Sequence, residues 1–227
     1  MALQLSLDLP PAPEGPATDF CVTPATAAAH AAITGQGDWP RGRLALVGPA
    51  ASGKSHLARL WSARTGAEII PATALDDRLG PALPPPGAAI AVDDADTLPT
   101  AAEETLFHLW NHLDRTGGRL LLTARSAPSR WTIALPDLAS RVQSMAIVRI
   151  DDPDDRLLSV LLARHLAERH IVPAAGVIPY LVARMERSHA AARLLAARLD
   201  TVALAQGRGI TRDLARSILD NPVTPAR

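Results

Sequence analysis

The sequence predicts an α/β fold: a three-layer αβα domain built on a parallel sheet, followed by a small all-helical domain. Short apolar runs of buried-strand type alternate with helical patterns up to residue 151, and strands separated by helices need crossover connections, so they pair in parallel. One of these runs, 44–47, opens into a glycine-containing loop and then a helix. Beyond Asp151 the texture changes to helical patterns alone.

The elements follow in order. Residues 10–18, Pro-Pro-Ala-Pro-Glu-Gly-Pro-Ala-Thr, cannot sustain helix or sheet and read as a semi-extended linker that isolates the first nine residues. An alanine-rich helix runs from Thr23-Pro24 to Gly35, the strand 44–47 follows, and a helix covers 54–65. The next strand candidate is 67–70, and 81–87 is a proline-dense surface loop. Residues 88–92 form a buried-type strand ending in Asp93-Asp94. The helix 103–115 places Leu106, Leu109, Trp110 and Leu113 on one face, and Gly117-Gly118 stops it. A buried strand at 119–123, a short helix at 138–143 and a strand at 145–150 complete the sheet domain. Helices are then predicted at 153–170, 174–187, 188–206 and 211–219, with Asp151-Asp152-Pro153 as N-cap and first-turn proline. The expected organisation is a tail at 1–18, an αβα domain at 19–151 and a helical domain at 152–227.

Composition narrows the function. With 227 residues, 48% of them hydrophobic, the chain has enough apolar material for one domain and a smaller companion. Net charge is zero and the pI is about 7.1, which gives no basis for bulk attraction to nucleic acid or an anionic membrane. Residues 1–151 carry 12 basic and 15 acidic groups and 152–227 carry 11 and 8, a mild excess that solvated helix faces explain. Cys21 is the lone cysteine, so no intrachain disulfide forms and a reducing compartment is expected. The N-terminus lacks a basic region and its apolar alternation is broken by Asp8, so it does not read as a secretory signal. No apolar run approaches 18 residues, so no membrane span is predicted, and a cytoplasmic location is expected.

The basic residues are 22 arginines and a single lysine, Lys54. Arginine has replaced lysine wherever it will serve, and one place resisted. That place is Gly48-Pro49-Ala50-Ala51-Ser52-Gly53-Lys54-Ser55, which fits the P-loop pattern G-x-x-x-x-G-K-[ST]. A compact ammonium on a flexible stem fits between two phosphates in a way that a planar guanidinium does not. Backbone N–H groups from Gly48 to Gly53 would form an anion nest, Lys54 would reach the β- and γ-phosphates, and Ser55 would ligate Mg²⁺. A glycine turn ending in Lys-Ser by chance is the alternative, and the flanking strand and helix argue against it.

Asp93 and Asp94 are placed to serve the same nucleotide. A carboxylate at this strand end can hold Mg²⁺ through water while its neighbour polarises the attacking water. The second carboxylate is the shorter Asp rather than Glu, which alters its reach; Asp96 reads as a turn start. Thr123 ends the neighbouring strand, where its hydroxyl serves either to sense the γ-phosphate or to cap the strand. His108 and His112 share a helix face, but without a catalytic Glu or a third ligand they read as solvated or partly buried histidines rather than a zinc pair.

In this order the elements resemble the AAA+ ATPases, and more narrowly the ATPase domain of the replication initiator DnaA and its regulatory relatives of the Hda type. Gly-Lys-Ser-His-Leu at 53–57, Val-Asp-Asp at 92–94 and Leu-Pro-Asp-Leu-Ala-Ser-Arg at 135–141 carry the likeness, which spans roughly 18–220. It implies an AAA+ P-loop domain with a helical lid, binding of ATP or ADP with Mg²⁺, and a place for His56 beside the nucleotide. It also implies that Arg141 acts in trans, as a finger on the ATP of a neighbouring subunit. In Hda-type proteins that neighbour is DnaA, whose bound ATP is hydrolysed so that initiation is restrained; self-assembly is a further possibility. Gln4-Leu5-Ser6-Leu7-Asp8-Leu9 is similar to the peptide with which such factors bind the DNA polymerase sliding clamp, its leucines entering an apolar pocket. A first sheet strand or a frayed terminus is the alternative for those residues. The likeness has two departures. The lid position of the family's sensor arginine falls on Ala190, with Arg187 and Arg193 a turn to either side, and no room follows the lid for a DNA-reading helix-turn-helix, so sequence-specific DNA binding is not expected.

Overall fold

The computed structural model describes residues 20–35, 39–79 and 83–220. Helix α1 (Pro24–Thr34) begins as its Thr-Pro start predicts, with the Thr23 N–H donating to Thr26 Oγ1 (2.9 Å) in a capping box and Pro24 in the first turn. Five strands follow: β1 (Arg43–Val47), β2 (Glu68–Pro71), β3 (Ala89–Asp93), β4 (Arg119–Ala124) and β5 (Ala146–Arg149). They form one wholly parallel sheet in the order β2-β3-β4-β1-β5, with β1 between β4 and β5. The predicted parallel α/β sheet is therefore present. Strand ends shift by a residue or so, as hydrogen-bond boundaries do.

Helices cover both sheet faces. Leu44 and Leu46 of β1 point to α1 and α2 (Lys54–Thr65), packing with Ile33, Leu57 and Trp61. Ala45 and Val47 point the other way, toward α3 (Leu75–Leu79), α4 (Glu103–Thr116) and α5 (Pro136–Gln143), where Leu106, Leu109 and Leu138 are fully buried. The period-2 alternation thus builds two cores, and each enclosed leucine contributes about 1.5–3 kcal/mol by leaving water.

Arg43, outside the predicted strand, is its first residue and is 2% exposed. It is tolerated there because Nη1 donates to the Gly118 carbonyl (2.9 Å) and Nη2 to that of Trp110 (3.3 Å), while the guanidinium lies 5.3 Å from the Trp110 ring centroid. Helix α3 and the 3₁₀ turn Ala72–Ala74 before it were not anticipated, since so short a helix has no periodicity to read. Helix α5 starts two residues early, with Pro136 in its first turn.

Residues 155–220 are helical: α6 (Asp155–Ala167), α7 (Val177–Val182), α8 (His189–Gln206) and α9 (Arg212–Asp220). They enclose their own core of Leu158, Leu162, Leu181, Ala196, Leu199 and Ala215. Three expectations are corrected. The N-cap of α6 is Asp154, whose carboxylate accepts the Leu157 N–H (2.7 Å), leaving Pro153 before the helix. Helix α6 ends early, at Ala167, and the turn after it closes on a left-handed His170 (φ 58°), where the Ile171 N–H turns back to the Leu166 carbonyl. Helix α7 is much shorter than 174–187, because Ala174 donates to the Ile210 carbonyl and Ser188 is committed as N-cap of α8, accepting the Ala191 N–H. Among the described residues no helix is long and apolar enough to cross a membrane.

Candidate functional site

Strand β1 delivers the P-loop to the carboxyl edge of the sheet, beside the ends of β3 and β4, the edge at which parallel α/β sheets gather ligands. The loop starts anchored, with the Gly48 N–H donating to the Ala124 carbonyl (3.1 Å). Gly48 has no room for a side chain, since a Cβ would lie 2.8 Å from Ser52 Oγ and 3.0 Å from Ile150 Cβ. Gly53 is left-handed (φ 94°) and caps α2, and Ala51 is left-handed too (φ 62°). Such alternation of backbone hand forms an anion-binding nest, here at a helix N-terminus.

The side chains agree with the backbone. Lys54 is 6% exposed, and its Nζ donates to the carbonyls of Gly48 and Pro49, 2.9 Å each. Burial lowers its pKa and nearby Arg125 adds to that; Asp94, Asp93 and Asp96 oppose it. Ser52 Oγ is buried with no hydrogen-bond partner. An orphaned hydroxyl and a desolvated ammonium beside a nest are what a phosphate would satisfy, so the residues present fit a nucleotide's phosphate chain.

At the end of the loop, Ser55 comes together with Asp93, Asp94 and Thr123. Ser55 Oγ donates to Asp93 Oδ2 (2.9 Å), and Thr123 Oγ1 donates to Asp93 Oδ1 while accepting the Asp94 N–H (3.0 Å). Asp94 is left-handed (φ 53°) and, of the carboxylates, acts most strongly on Lys54. Ser55 and Asp93 thus offer paired oxygens suited to a hard cation such as Mg²⁺. Thr123, fully buried, ties the ends of β3 and β4.

Other predicted residues fall as follows. Pro49 and Ala50 lie in the loop, and His56 is buried, its ring tilted against Phe20 at 5.7 Å. Arg141 is on α5, its guanidinium 5.3 Å from the Phe107 ring centroid, and no hydrogen bond or ion pair joins it to the Ser55–Asp93–Thr123 group. Arg187 pairs with Asp155 (2.9 Å) and Arg193 is exposed, while Ala190 lies in the first turn of α8. His112 hydrogen-bonds the Pro84 carbonyl (2.7 Å). Residues 4–9 lie outside the described residues.

Several residues escaped the sequence reading. Phe20 stacks on His30 (5.7 Å, 11°), and its ring edge would lie 3.0 Å from a Cβ on Gly53, so an aromatic surface borders the loop. Asp96 does more than start a turn, accepting the N–H groups of Arg125 (3.0 Å) and Ser126 (3.3 Å) and fixing the chain after β4. A cleft of about 240 Å³ runs between Gly48, Pro49, Arg125, Arg149, Asp151 and Asp152. Its one readable signal was the Asp151-Asp152 pair, which reads instead as a helix start.

No protein-family model matches the sequence, and no curated protein matches it. Solved structures do resemble the fold. Domain III of the replication initiation protein DnaA from Thermotoga maritima is similar at a TM-score of 0.72 and 17% identity, covering 91% of this chain and 95% of that one. AMPPCP-bound DnaA from Aquifex aeolicus is similar at 0.63 and 16%, covering 83% and 65%. The RuvB Holliday junction branch migration motor of Thermotoga maritima follows at 0.60 and 16%, covering 79% and 61%. The chain has the AAA+ P-loop αβα fold of these neighbours.

Proposed function

We propose that this chain is a DnaA-related regulatory nucleotide-binding protein: it binds ATP or ADP with Mg²⁺ at the P-loop, docks on the sliding clamp through residues 4–9, and presents Arg141 to ATP bound by DnaA. The observation that carries nucleotide binding is the nest at 48–53, with the buried Lys54 ammonium and the unpartnered Ser52 hydroxyl on one side and the Ser55–Asp93–Thr123 network on the other. Mg²⁺ would supply charge neutralisation between the phosphates. Lys54 would exchange its two carbonyls for phosphate oxygens, Ser55 and Asp93 would hold the cation's side of the site, and Asp94 would orient a water.

The trans role rests on the family resemblance and on the position of Arg141, on α5 and outside that network. Hydrolysis would then be completed across an interface, with DnaA holding the ATP and Arg141 compensating developing charge. A nucleotide-gated module that regulates DnaA by contact alone is the second reading: among the described residues no salt bridge engages Arg141, which leaves its guanidinium able to serve a protein contact as well as a phosphate.

Titration with a fluorescent ADP tests the nucleotide site. The intact chain should bind, and Lys54→Ala should weaken affinity by about ten- to a hundredfold, the loss of a charge-assisted contact. Equal affinity in the variant would overturn the assignment.

A further inference from the structure

Two arginines of the helical segment share one aromatic ring: the guanidinium of Arg184 lies 4.2 Å, and that of Arg212 4.8 Å, from the ring centroid of Tyr180. Tyr180 is on α7, Arg184 follows that helix, and Arg212 is the first residue of α9. The Ala174 N–H, donating to the Ile210 carbonyl, holds the two stretches side by side. Tyr180 is half-buried and both arginines are exposed. The negative face of the ring attracts each guanidinium, and that attraction gathers two like charges that would otherwise move apart. Elsewhere in the segment arginines are neutralised, Arg169 by Asp200 (3.7 Å) and Arg187 by Asp155 (2.9 Å). Among the described residues no carboxylate forms an ion pair with Arg184 or Arg212, although Glu186 and Asp213 are close in sequence.

We propose that this pair is a contact for the phosphate backbone of DNA, made without regard to sequence. Its donors are largely unspent: Arg184 Nη1 donates to the Tyr180 carbonyl (3.4 Å), and Arg212 donates no side-chain hydrogen bond among the described residues. A planar guanidinium carries its N–H groups at its rim, in a fork that matches two phosphate oxygens. The start of α9 adds the positive end of a nine-residue helix at Arg212, and helix N-termini are common backbone contacts. Zero net charge argues against attraction of the chain as a whole to nucleic acid, and not against two cations gathered in one place. Because both arginines are exposed, a lone small anion there would stay hydrated and be weakly held. A strand that repeats its charge about every 3.4 Å of axis offers a phosphate to each fork. The ring of Tyr180 is already taken up by the two guanidiniums, so the contact is to backbone rather than to a stacked base. Nothing in this depends on what the P-loop holds.

Titration of the isotope-labelled chain with short DNA duplexes at low salt, followed by NMR through the arginine Nε–H signals, tests the contact. The signals of Arg184 and Arg212 should shift, and two duplexes of unrelated sequence should bind alike. A variant combining Arg184→Ala with Arg212→Ala should bind DNA about tenfold or more weakly, the loss of two charge-assisted contacts, while its ADP affinity is unchanged. The slope of log K against log salt should become shallower by about 1.8, the share of two phosphates. Equal DNA affinity and an equal slope in the variant would overturn the proposal. A polyglutamate peptide that moves the same signals as strongly as DNA at equal charge would also overturn it, and would assign the pair to an acidic protein surface. Inorganic phosphate doing so would reduce the pair to a site for an adventitious ion only. If the double variant does not fold, shifts in the intact chain confined to other residues overturn the proposal.

Discussion

Lys54 was legible because its evidence is local: a spacing of glycines, a Ser after it, and no other lysine in the chain. The same holds for Asp93 at a strand end. Ser52 was not legible, since what marks it is burial without a partner, and burial is set by packing from elsewhere in the chain. Thr123 lay between; the sequence left sensing and capping open, and the structure places its hydroxyl between Asp93 and Asp94. The scarcity of lysine yields its own test. If the site demands a compact charge, Lys54→Arg should bind ADP about as poorly as Lys54→Ala, despite keeping the charge. Retained affinity in the arginine variant, measured in the same titration, would mean that any cation serves and that the lone lysine was an accident of composition.

Among the elements, the sheet was readable because each strand is a short apolar run and each glycine or proline break is in the chain itself. Helix α7 was not, because its ends are set by Ala174 bonding to Ile210 and by Ser188 capping its neighbour, contacts made only after folding. Helix α4 does something the pattern did not suggest. Its first residue, Glu103, is 3% exposed, and its carboxylate accepts the N–H groups of Ala134 (3.0 Å) and Leu135 (2.7 Å), just before α5. One turn on, Phe107 lies beneath Arg141. Helix α4 thus sets the entry of α5 and the seat of its arginine. Glu103→Ala strands two N–H groups and should cost about 2 kcal/mol. Denaturant unfolding should show that loss while ADP affinity at the P-loop, with which Glu103 shares no hydrogen bond, is kept; unchanged stability would mean that the carboxylate does not hold α5.

Taken together, the parts describe a nucleotide-binding fold whose arginine on α5 stands outside its own P-loop network. In the proposed function that arrangement would separate holding a nucleotide from completing hydrolysis on another chain's nucleotide. The N-terminal peptide would supply the meeting place, because a tether raises the effective concentration of its partners. Removal of residues 1–9 should therefore reduce stimulation of DnaA when the clamp is loaded on DNA, and leave ADP affinity unchanged; equal stimulation by the truncated chain would dismiss the tether. The decisive measurement is the rate of DnaA-bound ATP hydrolysis in a reconstitution of DnaA, clamp-loaded DNA and this protein, comparing the intact chain with Arg141→Ala. Stimulation by the intact chain, lost by about 10³-fold or down to the unstimulated rate in the variant, is the predicted result. Equal stimulation by both chains would contradict it.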